Sequence, residues 1–111
     1  MKSLIEIYEN NLDAKFGYFY LNPVFENKDI IIIKEYKSSW EAEKDEPTYI
    51  TILFKEEEIV ASYELSSREW LFARIRGDAF WDLEGVWGLR YYNRIKEKFE
   101  KYKDLIWIYL M

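Results

Sequence analysis

Two runs of strictly alternating residues constrain this chain more than any other feature. Thr48, Ile50, Ile52 and Phe54 alternate with Tyr49, Thr51, Leu53 and Lys55. After a few charged residues, Ile59, Ala61, Tyr63 and Leu65 alternate with Val60, Ser62 and Glu64. A period of two belongs to strands, and two such runs on a short connector make an antiparallel hairpin. The connector around Glu56-Glu57 lacks the Asn-Gly or Asp-Gly of tight primed turns, so the pattern leaves the register open. Glu56, Glu57 and Glu58 are adjacent like charges and are expected to face water.

Other elements arrange themselves around this hairpin. Ser3-Leu4-Ile5-Glu6 has the form of a capping box, and Leu4, Ile7 or Tyr8, and Leu12 then share a helical face. A strand over Leu4 to Tyr8 competes with that helix, and Asn10-Asn11 is expected to loosen or end it. Phe16 to Leu21 reads as a strand closed by Asn22-Pro23, and Asn27-Lys28-Asp29 as a turn. Ile30 to Lys37 is a β-branched strand whose continuous apolar half implies cover on both faces. Ser38 to Pro47 is a loop or a short acidic helix.

Ser66-Ser67-Arg68-Glu69 repeats the capping-box spacing, and Leu71, Ile75, Ala79 and Leu83 recur every four residues behind it. That pattern predicts a helix divided at Gly77-Asp78, with Gly85 and Gly88 marking its boundary. Leu89, Tyr92, Ile95, Phe99 and Tyr102 give a further amphipathic helix. The six apolar residues Leu105 to Leu110 are expected to close the chain as a buried strand. The sum is one α+β domain over residues 1–111: a small, mainly antiparallel sheet of about five strands packed against two or three helices.

Composition narrows the chemistry. The chain has no cysteine and no histidine. Thiolate and disulfide chemistry, the commonest general base and the usual transition-metal ligands are therefore missing. No cofactor motif is present, and only carboxylate sites for hard cations remain open. The longest purely apolar run, Ile30 to Ile33, is far short of the ~20 residues of a membrane helix. Met-Lys-Ser-Leu-Ile-Glu lacks a signal-peptide core. A soluble, cytoplasmic protein is the expectation. Glutamine is absent while Lys and Glu abound, a hyperthermophile tendency that an AT-rich coding sequence also produces.

Charge is unevenly distributed. Up to Glu84 there are eighteen carboxylates against ten basic groups, whereas Arg90, Arg94, Lys96, Lys98, Lys101 and Lys103 make the remainder net basic. Glu97, Glu100 and Asp104 dilute that basic helix, and the acidic body repels phosphate, so nucleic acid is not the expected partner.

Four further features carry candidate chemistry. Glu35-Tyr36-Lys37 with Asp29 has the composition of a metal-dependent nuclease site. On one strand, though, Asp29 and Glu35 stand about 20 Å apart, and a second acid from Asp13 or Glu26 would be needed. Solvated strand-end charge is the simpler reading. Arg74, Asp78 and Asp82 read as helix-surface pairing. Gly85-Val86-Trp87-Gly88 has the wrong spacing for a phosphate loop. The preferred surface is Trp40 with Glu41, Glu43, Asp45 and Glu46, taken together with Glu56, Glu57 and Glu58. Its tryptophan is either a lid on the core or an exposed anchor, with the lid as the ordinary expectation.

Three functions are weighed. The first is a non-enzymatic protein-binding module: an inhibitor, immunity protein or adaptor on a basic partner such as a nucleic-acid enzyme, with a mobile-element or viral inhibitor as its sharp version. The second is a carboxylate-only enzyme using Glu35 and Lys37. The third is a homo-oligomeric structural protein, for which a homodimer is the form considered.

Overall fold

The computed structural model describes residues 2–17, 19–76 and 86–110. In chain order the elements are α1 (Leu4–Phe16), β1 (Tyr20–Glu26), β2 (Ile30–Tyr36), α2 (Ser39–Lys44), β3 (Tyr49–Phe54), β4 (Ile59–Glu64), β5 (Glu69–Arg74) and α3 (Val86–Tyr102). A 3-10 turn over Lys103–Ile106 and a short helix, α4 (Trp107–Leu110), follow. The five strands form one antiparallel sheet in sequence order, β1-β2-β3-β4-β5. The α+β architecture expected from the sequence is therefore the one observed.

Helices cover both faces of the sheet, which explains the near-continuous burial of β2, β3 and β4. Ile30, Ile32, Ile50, Ile52, Phe54, Ile59, Ala61 and Tyr63 pack against Tyr91, Ile95, Phe99 and Tyr102 of α3 and against Ile106. The alternate residues Ile31, Ile33, Leu53, Val60 and Ala73 pack against Tyr8 and Leu12 of α1. The period of two thus supplies two cores from one sheet. On the α3 side the packing is largely aromatic. Trp70 meets the ring of Phe99 edge-on at 4.9 Å, and Phe72 meets Phe99 at 5.1 Å. Such edge-to-face pairs are favoured by the ring quadrupoles.

The expected antiparallel hairpin is present, and its register, left open by the connector, sets Phe54 opposite Ile59 and Tyr49 opposite Glu64. Its turn closes through Glu58, whose φ of 55° is left-handed and whose N–H donates to the Phe54 carbonyl at 2.9 Å. At the N-terminus the helix prevails over the competing strand. Ser3 caps α1 by accepting from the Glu6 N–H at 3.2 Å. Asn11 does not break the helix, because its side-chain amide reaches outward and donates to the Ile75 carbonyl at 2.6 Å.

Four expectations are overturned. The first strand is Tyr20–Glu26 and not Phe16–Leu21; Phe16 ends α1. Asn22-Pro23 lies inside that strand, which is tolerated because β1 is an edge and the ladder shifts register between Pro23 and Phe25. The expected helix after Ser66 is a turn followed by β5. Arg68 is left-handed at φ 60°, and its N–H donates to the Glu64 carbonyl at 2.8 Å. The four-residue spacing of Leu71 and Ile75 misled because four is also a multiple of two, so both lie on one strand face. Ala79, Leu83, Asp78 and Asp82 lie outside the described residues.

The expected boundary at Gly88 is overturned as well, since α3 begins at Val86 and includes that glycine; Gly85 lies outside the described residues. Finally, Leu105 to Leu110 is the 3-10 turn and α4, not a strand. Only Ile106 of this segment is fully buried, while Trp107 and Ile108 are 48% and 60% exposed.

Candidate functional site

The acidic surface expected from the sequence divides into two parts. α2 and its flanks join the ends of β2 and β3, whereas Glu56–Glu58 form the turn at the far end of β3. The intervening strand spans about 17 Å at roughly 3.3 Å per residue. The fold therefore does not bring Trp40 and Glu56 into one patch.

α2 is fastened at both ends. The Ser38 hydroxyl caps it by accepting from the Glu41 N–H at 3.3 Å, and the Glu41 carboxylate accepts from the Lys37 N–H at 3.0 Å. At its C-terminus Asp45 adopts a left-handed φ of 54°. Its carboxylate accepts from Tyr36 O–H at 2.6 Å and from Lys34 Nζ at 2.9 Å. Those two donors hold the Asp45 carboxyl below the usual aspartate range. Conversely, burial and the adjacent carboxylate push the Tyr36 phenol up to about 12.

None of the six residues of α2 is buried, and Trp40 is 63% exposed. The core-lid expectation for Trp40 is thus corrected. α2 stands off the sheet, and its ring meets Lys44, whose Nζ lies 4.5 Å from the centroid. Glu41 and Asp45 serve the helix itself. Glu43 and Glu46 form no ion pair among the described residues. A cleft of about 380 Å³ beside the helix is lined by Lys37, Glu41, Glu46, Pro47, Thr48, Leu65 and Ser66.

The carboxylates of the other turn are answered within the chain. Lys98 on α3 reaches Glu57 at 2.7 Å and Glu56 at 3.2 Å, and Glu58 pairs with Arg76. Not all three face water, since the Glu57 side chain is only 19% exposed. The adjoining cleft, about 280 Å³, is lined by Glu57, Glu58, Arg74, Arg76 and Arg94, a mixture of charges and not a single-sign surface.

Glu35 departs furthest from expectation. It is not solvated strand-end charge but fully buried, on the sheet face beneath α1. Its carboxyl accepts from Tyr8 O–H at 2.9 Å and from Thr51 O–H. Thr51 Oγ1 shares a further hydrogen bond with Ser62 Oγ at 2.8 Å. Thr51 and Ser62 are also fully buried. Burial raises the Glu35 carboxyl to about 7, outweighing the hydroxyls that lower it. Burial, with Glu35 beside it, also raises the Tyr8 phenol well above its ordinary value.

A carboxyl of this kind, enclosed by three hydroxyl side chains, is arranged as a structural hydrogen-bond centre. The nuclease grouping does not assemble around it. Asp29, at the opposite end of β2, accepts from Tyr102 O–H at 2.6 Å, and Glu26 pairs with Lys55. Among the described residues no group of three acids could hold a metal ion. Nor, among them, is any helix long and apolar enough to cross a membrane. One hint of the network was missed: Thr51 and Ser62 are hydroxyls at the centres of apolar strands that the alternation already marked. Comparison with protein-family models, with curated proteins and with solved structures found no match.

Proposed function

We propose that the chain is a protein-binding module that docks on a basic partner through α2. In this reading Trp40 is the anchor, and Glu43 and Glu46 supply complementary charge. The observation that carries it is the 63% exposure of Trp40 on a helix that is fixed at both ends yet buries nothing. A large aromatic on the surface of a preorganised element loses little entropy on binding, and such residues dominate interface energetics. The Lys44 ammonium over the ring shows that its face already receives a cation.

The Glu56–Glu58 turn leaves this surface, because Lys98 and Arg76 already answer its charge. Part of the basic helix is similarly occupied. Lys98 is ion-paired, Lys103 meets Glu100 at 2.9 Å, and Arg90 and Lys101 lie over Trp87 and Tyr102. That arrangement disfavours nucleic acid as the partner.

The test is capture from lysate of the native source after nuclease treatment, run in parallel with wild type, Trp40→Ala and Glu43→Lys/Glu46→Lys. A basic protein held by wild type and lost from both variants supports the reading. Equal capture by all three removes α2 as the surface. A homo-oligomeric reading rests on a different observation, the exposure of Trp107 and Ile108 at the chain's end. Analytical ultracentrifugation of wild type against Trp107→Ser/Ile108→Ser tests it.

A further inference from the structure

α1 is attached to the sheet by two kinds of contact. Tyr8 and Leu12 are buried in the apolar layer formed with Ile31, Ile33, Leu53 and Val60, with Leu4, Ile5 and Ile7 partly buried at its margin. The ring of Tyr8 also carries a hydroxyl across this layer to Glu35, at 2.9 Å. A helix resting on a sheet needs no polar contact at its centre, and an aliphatic residue at position 35 would extend the run Ile30–Ile33. The carboxyl instead sits where it has three buried hydroxyls around it and, among the described residues, no cation.

Among the described residues, the groups facing Glu35 come from four elements. α1 contributes Tyr8, β3 contributes Thr51 directly and Tyr49 as the paired neighbour, and β4 contributes Ser62 through Thr51. On β1 its partner is Leu21. A further charge on the same ladder is Glu64, which pairs with Tyr49 and is of the same sign. Lys34, one residue away, is committed to Asp45, and alternation sends it to the other face. Loss of the Glu35 proton therefore places a negative charge in an enclosure to which the described residues bring no compensating cation.

We propose that α1 is a proton-controlled latch: the protonated Glu35 carboxyl and Tyr8 hold the helix to the sheet, and removal of that proton loosens it. Opening α1 admits water to Glu35 and so relieves the buried charge, while β3 and β4 keep their second core against α3. The raised titration of Glu35 places the response between the ordinary glutamate range and about 7. The open form releases the proton first across this interval, so each added pH unit favours it about tenfold, levelling above the closed-state value. The latch is tight in acid and loose at neutral pH.

Hydrogen exchange followed by mass spectrometry from pH 4.5 to 8.5, corrected for intrinsic exchange, tests this on the whole chain. In wild type, α1 amides are expected to lose protection by about tenfold per pH unit up to a plateau near 7, while β3–β4 amides change little. Glu35→Gln, which keeps the carbonyl acceptor but has no proton to lose, should flatten that profile. Tyr8→Phe provides a second reading should the glutamine variant fold poorly, with α1 protection reduced at pH 5 and β3–β4 protection retained. A wild-type α1 profile as flat as that of Glu35→Gln overturns the proposal. So does an α1 slope shared equally by β3–β4, which would mark global unfolding without a latch. Undiminished α1 protection in Tyr8→Phe at pH 5 would overturn it as well.

Discussion

The Tyr8 hydroxyl, carried on the first helix, donates at 2.9 Å to the carboxyl of Glu35 in the second strand, 27 residues further along the chain. Neither group is reachable by water, since Glu35 has no exposed surface and Tyr8 is 1% exposed.

Stability should fall as pH rises. In the unfolded chain Glu35 ionises near 4.5, and in the folded protein near 7. Below the lower value both states are protonated and the folded state carries no penalty. Between the two, the unfolded state gives up its proton first, so this group's contribution to stability is lost as pH rises towards 7. At about 1.4 kcal/mol per unit the interval amounts to roughly 3 kcal/mol. Urea unfolding from pH 4.5 to 8 measures it, and Glu35→Gln should remove this component.

Tyr8→Phe should cost about 1–3 kcal/mol, because it leaves a buried carboxyl with one donor fewer. Tyr8→Phe combined with Glu35→Gln should cost less than the sum of the two single changes, as befits residues in one network. Chemical denaturation of the four proteins completes the cycle.

Asp45 holds α2 by geometry and by charge. Asp45→Ala should lose both, with about 1 kcal/mol from placing alanine at a left-handed position. Asp45→Gly restores the backbone freedom without the carboxylate. In both variants the Tyr36 phenol should titrate below about 12, since the neighbouring carboxylate contributes to its elevation. Ultraviolet absorbance titration of wild type and variants detects this.

Lys98→Met should leave Glu56, Glu57 and their neighbour Glu58 without the lysine that bridges the first two. The expected cost is about 1 kcal/mol at low ionic strength, smaller in high salt and smaller again below the carboxylate range. Denaturation at two salt concentrations checks the sign. Ile95→Ala, by contrast, empties a fully enclosed site on α3 and should cost about 2–5 kcal/mol whatever the salt.

Much of the sheet was legible because its evidence is local. The alternation in residues 48–65 marks the two strands and the faces their residues take, while the register waits on the Glu58 turn. The polar role of Glu35 was not legible, because it depends on Tyr8, Thr51 and Ser62 arriving from three other elements. Nothing near Glu35 in the sequence distinguishes it from the surface glutamates. β5 was misassigned for a related reason: a capping-box spacing and a four-residue repeat are satisfied by turn and strand as well as by helix. The exposure of Trp40 likewise depends on where α2 stands relative to the sheet. In that segment, however, the helical alternative, Ser38 to Pro47, was already written in the acidic run.

Lys34, Glu35 and Tyr36 are consecutive, yet they bind different elements: the outer two hold Asp45 and the middle one meets Tyr8. In a lineage of such chains the branched aliphatics before them could interchange freely. The number of residues between the Asn27 turn and Lys34 could not. One codon gained or lost there would turn all three side chains over together, presenting a carboxylate where Asp45 needs donors and a lysine beneath α1. A change in the length of this strand should therefore cost more than a conservative change in its spelling.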